Sequence, residues 1–476
     1  MKRATRIWLL AASAALLTGC AGVSMDEQRA TVSRLAEGRT GGVAITATQL
    51  ASSQGTQTDQ RVTALLAAPL GADAAVEIAL LNNPALQASL AGLQMAAAER
   101  VQAGTLPNPH FAFGRLVEGN LVEWERALGF NLFAVLTMPW RIQWQDGQLA
   151  LAQLRTAQDV VRLAADTRKA WVQAVAAEQV ARQTQTAMEA MQAAAELARR
   201  MTRVGNWSTY QQAREELALA EATAQLARAR QAAFAARENL TRQMGLWGEQ
   251  IGYTLPERLP DLPKAPEAAT DIESMALRER LDVRAARDEA QFVADNLGFV
   301  KVTGVISGLD LGLVYNTNID NAAGAQDIKK GWGLELPIPL FDWGGARNAR
   351  AQGQYLQAVA RVRDVAVRAR SEVREAWHGY RTAWDLARQY RDTMVPLRKR
   401  MNDEVVLRYN GMLMSAWDLL ADTRQQALTV ARAIEAERDF WLADTDLKTA
   451  LSGTSPGAMA QFKAAAGGAG AEPRGH

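Results

Sequence analysis

Two very long stretches of this chain carry helix-forming residues almost without interruption. They extend from about residue 141 to 204 and from about residue 346 to 409, and alanine, glutamine and arginine dominate both. Proline, which breaks helices, occurs in them only at Pro396. Because an α-helix rises about 1.5 Å per residue, each stretch predicts a helix on the order of 95 Å long, which exceeds the diameter of an ordinary globular domain.

A glycine follows each stretch, and the helical pattern then resumes. Gly205 and Gly411 predict sharp turns, since glycine readily adopts the left-handed conformation that ends many helices. The returning stretches begin at Ser208 and Ser415. The sequence therefore predicts two long helical hairpins, at 141–245 and 346–451, whose seams of small and apolar residues recur every three or four positions.

The two halves of the chain match each other. The dipeptide Ala-Trp occurs at 170–171 and again at 376–377, 206 positions apart, and the two turn glycines are separated by the same number. Leu240 and Leu447 match at a separation of 207. Several matches in the same order predict an internal duplication, with repeats at 74–254 and 271–453.

Each repeat opens with a shorter helix and two strands. The helices are predicted at about 74–103 and 272–297, and the strands within 107–139 and 303–340. The alternation of apolar with small or polar residues is clearest at Leu309, Leu311, Leu313 and Tyr315. This pattern suits the wall of a water-filled membrane barrel, and it equally suits a small soluble hairpin with one buried face.

The first twenty residues have the order of a bacterial lipoprotein signal. Lys2, Arg3 and Arg6 precede an apolar stretch. The only cysteine of the chain, Cys20, follows that stretch. We interpret 1–19 as a signal peptide and Cys20 as a lipidated anchor, with a buried packing cysteine as the alternative.

The remaining segments carry less information. Residues 20–73 are polar and predict an extended tether, residues 255–270 are a proline-rich crossover between the repeats, and residues 454–476 predict a disordered tail. Beyond the leader the sequence has no uninterrupted apolar run of 18 residues, so no transmembrane helix is predicted and any membrane crossing would use strands.

Charge and residue types argue against several classes of function. Lys and Arg total 53 and Asp and Glu total 51, a balance that gives no reason to expect a nucleic-acid partner. The three histidines, His110, His378 and His476, have no ligand-spaced companion, and no phosphate-binding loop is present. The sequence predicts no catalytic residue, metal site or cofactor.

Four motifs resemble those of the TolC-like outer-membrane efflux factors over about residues 75–453. They are Asn83-Pro84-Ala85-Leu86 at the first helix, Pro337-Ile338-Pro339-Leu340-Phe341-Asp342-Trp343-Gly344-Gly345 before the second long helix, Arg408-Tyr409-Asn410-Gly411 at its turn and Asp418-Leu419-Leu420 beyond it. The first half departs from the pattern. Met138-Pro139-Trp140 replaces the proline-rich string, and Gln211 stands where an acid is expected.

The resemblance implies a mainly α protein with a membrane β-barrel part. Its duplicated unit of long helical hairpins and β-hairpins would form, as a homotrimer, an α-barrel and β-barrel duct with twelve strands. The implied function is an outer-membrane channel subunit of a tripartite efflux system, a passive conduit for small molecules or ions. It would be held in outer-membrane lipid, extend into the periplasm, and work with a periplasmic adaptor protein and an inner-membrane pump. The alternative is a lipid-anchored periplasmic coiled-coil scaffold without a pore.

Two candidate sites follow from the resemblance. The first comprises the helix turns, which would dock the adaptor or else be simple helix caps: Val204, Gly205, Asn206, Asn410, Gly411 and Met412. The second is Asp418, which would form a ring of three carboxylates in a trimer or else be a surface residue that satisfies the helix dipole. Met412 and Met414 also allow a path for soft metal ions, although methionine is a common helix residue.

Overall fold

The computed structural model describes residues 23–43, 46, 56–268, 270–303, 308–457 and 459. Cys20 and most of the predicted tail lie outside these residues. The described helices are α1 (Met25–Ala36), α2 (Thr56–Leu66), α3 (Ala72–Asn82), α4 (Pro84–Ala103), α5 (Leu132–Leu136), α6 (Met138–Arg203), α7 (Thr209–Met244), α8 (Ile272–Glu279), α9 (Leu281–Thr303), α10 (Gly345–Gln389), α11 (Val395–Asn410) and α12 (Ala416–Lys448). The described strands are β1 (His110–Glu118), β2 (Leu121–Asn131), β3 (Asp310–Asp320) and β4 (Ala325–Glu335).

The chain divides into two compact units. Of the residues that the structure describes, one unit contains those within 23–32, 88–156 and 284–365, and the other contains those within 33–87, 157–283 and 366–459. The first holds the four strands and the second holds both helix turns, so each candidate site lies within a single unit. We call them the sheet unit and the helical unit.

The sheet unit is built on one antiparallel sheet in the order β1-β2-β3-β4. Each predicted hairpin forms, and β2 pairs with β3, which joins the strands of the two halves. Two stacked aromatic pairs connect α6 with α9, namely Trp144 with Phe292 and Trp140 with Phe299, whose ring centroids are 4.1 and 5.3 Å apart. Aromatic packing therefore joins the start of the first long helix to the helix that precedes the second pair of strands.

The helical unit contains two main apolar clusters. The first surrounds Trp171, whose indole N–H donates to the backbone oxygen of Leu70 at 2.6 Å. The second surrounds Tyr380 and Phe440, whose rings lie 5.5 Å apart. Each cluster buries a leucine of the matched pair, Leu240 in the first and Leu447 in the second.

The shorter helices are interrupted where the sequence pattern suggested continuous ones. Asn83 is extended, as a residue before proline should be, and its side-chain oxygen accepts from the backbone N–H of Ala85 at 2.8 Å, so α3 ends and α4 begins there. The second break is at Arg280, whose buried guanidinium pairs with Asp282 at 2.6 Å and Glu372 at 2.8 Å. The prediction of one helix in each place is corrected to two.

The second long helix also departs from the expected regular form. One turn of π-helix, Tyr390–Met394, separates α10 from α11. Pro396 lies at the start of α11 and lacks the N–H that a regular helix would use, so the wider turn accommodates it. Strand β4 likewise ends at Glu335, because the prolines that follow cannot donate to a strand ladder.

The expectation of an extended tether at 20–73 is wrong for the part that the structure describes. Helices α1 and α2 lie in this segment and bury Val32, Ala36 and Val62. The polar composition concealed these few apolar residues, and the four-residue spacing of Val32 and Ala36 places both on one helix face.

Candidate functional site

The first helix turn is built by a left-handed glycine and a capping box. Gly205 has φ +79°, and the N–H of Asn206 donates to the backbone oxygen of Met201 at 2.9 Å, which closes the end of α6. The hydroxyl of Ser208 accepts from the N–H of Gln211 at 3.3 Å, and the Gln211 side chain accepts from the N–H of Ser208 at 3.0 Å. Both ends of the turn are thus fixed by local hydrogen bonds.

The second turn differs from the first in one respect. Gly411 has φ −80°, and the left-handed residue is Met412 with φ +58°. The expectation that Gly411 supplies the left-handed conformation is therefore wrong. The helix closes one residue later than expected, where the N–H of Leu413 donates to the backbone oxygen of Arg408 at 2.8 Å. The left-handed conformation costs a residue with a side chain about 1 kcal/mol, and here a methionine adopts it.

A pair of tryptophans joins the two turns. The rings of Trp207 and Trp417 stack with their centroids 4.1 Å apart and an interplanar angle of 23°. Neither residue was selected from the sequence. The available signal was a tryptophan close to each helix-capping serine, directly before Ser208 and two residues after Ser415. The two tryptophans do not occupy equivalent positions in the repeats, so matching the halves did not reveal them.

The joined turns present exposed apolar side chains. We call Val204, Tyr210, Met412 and Leu413 the tip surface, and each is at least two-thirds exposed. Large apolar side chains rarely cluster in water without a partner to cover them. The stacked tryptophans therefore join two turns that each expose large apolar side chains.

Asp418 lies at the start of α12, where it acts as a cap. Its carboxylate accepts from the hydroxyl of Ser415 at 2.6 Å and from the N–H of Ser415 at 3.3 Å. Gln211 has the same position in the first turn, so the missing acid of the first half is replaced by an amide that also completes a capping box. The carboxylate remains exposed to solvent.

Asp422, one turn further along α12, is differently engaged. Its carboxylate pairs with the guanidinium of Arg398 on α11 at 2.6 Å, and both side chains are largely buried. This ion pair fastens the two helices of the second hairpin behind the turn. Asp422 is consequently occupied by a protein cation, whereas the hydrogen bonds of Asp418 come from uncharged groups.

The four strands carry different chemistry on the two faces of their sheet. On one face, which we call the apolar face, Phe111 of β1 is opposite Leu128 of β2, Leu128 is opposite Leu313 of β3, and Leu313 is opposite Trp332 of β4. All four side chains of this row are exposed. An apolar row that crosses a whole sheet and remains uncovered indicates a non-aqueous surrounding or a partner.

The other face, which we call the polar face, carries small and charged residues. Its row beside the apolar one contains His110 and three glycines, Gly129, Gly312 and Gly333. All seven carboxylates of the four strands are on this face by strand alternation, at Glu118, Glu123, Glu125, Asp310, Asp320, Asp327 and Glu335. The soluble-hairpin interpretation required one buried face, and neither row shows that.

The described residues contain no cluster of three or more His, Cys, Asp or Glu side chains that could hold a metal ion. In the same part of the chain, no helix combines the length and the apolar composition that crossing a bilayer requires.

Comparison of the sequence with protein-family models and with curated proteins gives no match. Solved structures do match. The outer-membrane channel OprN is 17% identical with a TM-score of 0.65, and the match covers 83% of this chain and 91% of that chain. The Campylobacter jejuni CmeC outer membrane channel is 16% identical with a TM-score of 0.64, covering 81% of this chain and 87% of that one.

The outer membrane protein VceC of Vibrio cholerae is 15% identical with a TM-score of 0.63, and the match covers 84% of this chain and 99% of that chain. At these identities the likeness establishes the fold. This chain has the fold of the TolC-like outer-membrane channels, with long helices and a small antiparallel β part. The fold class predicted from the sequence is thereby confirmed for its long helices and its β part.

Proposed function

We propose that this chain is a subunit of an outer-membrane efflux channel, a passive duct that is not an enzyme. One observation carries the proposal. The apolar row of Phe111, Leu128, Leu313 and Trp332 crosses all four strands, while carboxylates and glycines occupy the opposite face. A sheet that faces lipid on one side and water on the other has this pattern.

The strand lengths support the same function. Strands β1 to β4 contain 9, 11, 11 and 11 residues, and a strand that crosses a bilayer needs about 9 to 11. A periplasmic scaffold without a pore would not require them. Strands β1 and β4 are the edges of this sheet, and edges in lipid must be paired, so we infer that three copies close a barrel of twelve strands.

The tip surface and the leader complete the assignment. Val204, Gly205, Asn206, Asn410, Gly411 and Met412 would meet a periplasmic adaptor, with the exposed Met412 and Leu413 covered in the complex. Energy for export would come from an inner-membrane pump, since a duct supplies none. Cys20 would carry lipid and hold each chain in the outer membrane.

The first test is conductance together with membrane insertion. Purified protein in planar bilayers should give discrete single-channel steps. Leu313→Arg, in the apolar row, should reduce the amount of protein in the outer-membrane fraction several-fold, because an arginine near the bilayer centre costs about 2 to 4 kcal/mol on a lipid-facing strand.

Asn316→Arg on the polar face of the same strand is the matched control and should leave insertion unchanged. A protein that gives no conductance and tolerates arginine at both positions would be a scaffold instead.

A further inference from the structure

The apolar face of the sheet changes character towards the hairpin turns. Two residues beyond the row described above, Phe113 is opposite Arg126 and Tyr315 is opposite Lys330. The Arg126 guanidinium lies 5.4 Å from the centroid of the Tyr315 ring, and the Lys330 ammonium lies 5.3 Å from it on the other side of the strand. One tyrosine is therefore flanked by two cations.

The next row repeats this chemistry. Arg115 is opposite Trp124, and its guanidinium lies 5.4 Å from the centroid of that ring. The Trp124 ring also lies 5.4 Å from the Phe113 ring, which connects this row with the previous one. We call this set the basic-aromatic belt: Arg115, Arg126, Lys330, Phe113, Trp124 and Tyr315.

The cations of the belt have no carboxylate on their own face. Every Asp and Glu of the four strands has the opposite alternation, and the one remaining lysine or arginine of the strands, Lys329, is on the polar face with them. Among the described residues, none of Arg115, Arg126 and Lys330 forms an ion pair with an acidic side chain. Three positive charges are thus presented on an otherwise apolar face, and their counter-charge must come from another molecule.

The belt adjoins the exposed apolar row of Phe111, Leu128, Leu313 and Trp332. Leu334, two residues beyond Trp332 on β4, continues the exposed apolar surface away from the belt. In lipid-facing strands, aromatic residues flank the apolar band at its boundaries with water. The belt therefore has the composition and the neighbours expected where hydrocarbon gives way to headgroups.

From this geometry we propose that the basic-aromatic belt binds the phosphate groups of a membrane lipid. Arg and Lys form charge-assisted hydrogen bonds with phosphate oxygens, and the rings suit the boundary between hydrocarbon and headgroup. The ligand class is a lipid whose headgroup carries phosphate outside its sugar or glycerol core. The inference rests on the proposed function, since it requires the apolar face to contact the bilayer.

The test compares two cations of the belt with the neighbouring lysine of the polar face. Native mass spectrometry of the purified protein with added diphosphoryl lipid A should show retained lipid, and the double variant Arg126→Gln and Lys330→Gln should retain at least tenfold less. Lys329→Gln removes a neighbouring charge on the polar face and should bind lipid A as the wild type does. Binding should weaken as salt is raised, because exposed charge pairs are screened.

Three results would overturn the inference: equal binding of fully dephosphorylated lipid A, equal loss in Lys329→Gln, or complete displacement by millimolar inorganic phosphate, which would assign the site to free phosphate. The same samples are also tested for conductance in planar bilayers. Channels that insert and conduct without a preference for the phosphorylated lipid would reject this inference alone. Failure of the wild type to insert would reject the proposed function itself.

Discussion

At the level of single residues, Asp418 has two separable roles. Its carboxylate caps α12 through Ser415, and it remains exposed where three copies in a trimer would surround one axis. Replacement by asparagine keeps a side-chain acceptor for the cap and removes the charge. Gln211 shows that an uncharged amide can serve the same position in the first turn.

We predict that Asp418→Asn relieves most of any block of single-channel current by millimolar divalent cations added from the periplasmic side. Three like charges near one axis attract such ions, and three amides do not. Asp418→Ala should give the same relief and also destabilise the start of α12 by about 1 kcal/mol. Unchanged block in both variants would place the cation site elsewhere. Asp422, one turn further along α12, is a weak candidate because its carboxylate is paired with Arg398.

Glu437 on α12 is a residue whose charge the fold disfavours. Burial, and to a smaller extent the nearby carboxylate of Asp261, raises the pKa of its carboxyl to about 7 against the opposing effect of Arg258 and Arg391. A raised carboxyl pKa means that the folded state holds its proton more tightly than the unfolded chain. The contribution of this carboxyl to the free energy of unfolding is therefore fully present below pH 4.5. It is lost as the pH rises through about 7.

We predict that Glu437→Gln stabilises the protein at pH 8, on the order of 1 to 3 kcal/mol, and has little effect at pH 4. The amide cannot ionise, so the penalty of the buried charge disappears. Thermal unfolding of the wild type and the variant at both pH values measures this. A stabilisation of the same size at pH 4 would show that the amide acts through packing and not through charge.

At the level of elements, the two helix turns use different residues for the same purpose. Gly205 is left-handed at φ +79°, whereas Gly411 has φ −80° and its neighbour Met412 takes the left-handed conformation. A Cβ atom at Gly411 would find its nearest neighbour at 3.5 Å, which is ordinary contact. The two glycines should consequently respond differently to the same substitution.

We predict that Gly205→Ala lowers the free energy of local opening of the first turn by about 1 kcal/mol. Gly411→Ala should leave that of the second turn nearly unchanged. Hydrogen exchange of the amides around each turn reports this local opening directly. Export by a strain that carries either variant gives the functional comparison. Equal loss of protection in both variants would mean that the second turn also depends on its glycine.

The long helices and the four strands could be predicted because a pattern of residues close together in the sequence indicates each of them. Helix-forming residues repeat over many turns, and Leu311, Leu313 and Tyr315 alternate in period two. The breaks within helices were harder to predict from the sequence. Arg280, where α8 ends, pairs with Glu372, a residue far away in the sequence. The stacking of Trp207 on Trp417 likewise depends on how two hairpins meet, which no local pattern records.

Part of the candidate site could be predicted from the sequence for the same reason. The turn residues follow from the positions of Gly205 and Gly411, and the structure brings both turns together. The left-handed Met412 was not predictable, because it follows from where the last helical hydrogen bond forms. The basic-aromatic belt required the register of all four strands, which joins residues of the two halves that are almost two hundred positions apart.

At the level of the whole molecule, the strand charges decide what the duct would pass. The polar face carries seven carboxylates and one lysine per chain, and three copies would repeat this around a common lumen. The cations Arg115, Arg126 and Lys330 are on the other face. A lumen lined in this way has a negative potential, which raises the local concentration of cations and lowers that of anions.

We predict that the open channel is selective for K⁺ over Cl⁻, and that adjacent lysines affect this selectivity differently. Lys329→Gln removes the only lysine or arginine that the strands carry on the polar face and should increase the selectivity, whereas Lys330→Gln on the apolar face should leave it unchanged. The double variant Glu123→Gln and Glu125→Gln should reduce it, since both carboxylates are on the polar face. Reversal potentials in a KCl gradient across a planar bilayer measure each case. Anion selectivity of the wild type, or a larger effect at Lys330 than at Lys329, would mean that the sheet faces the lumen with its apolar side, and the lipid-facing assignment of that side would fail with it.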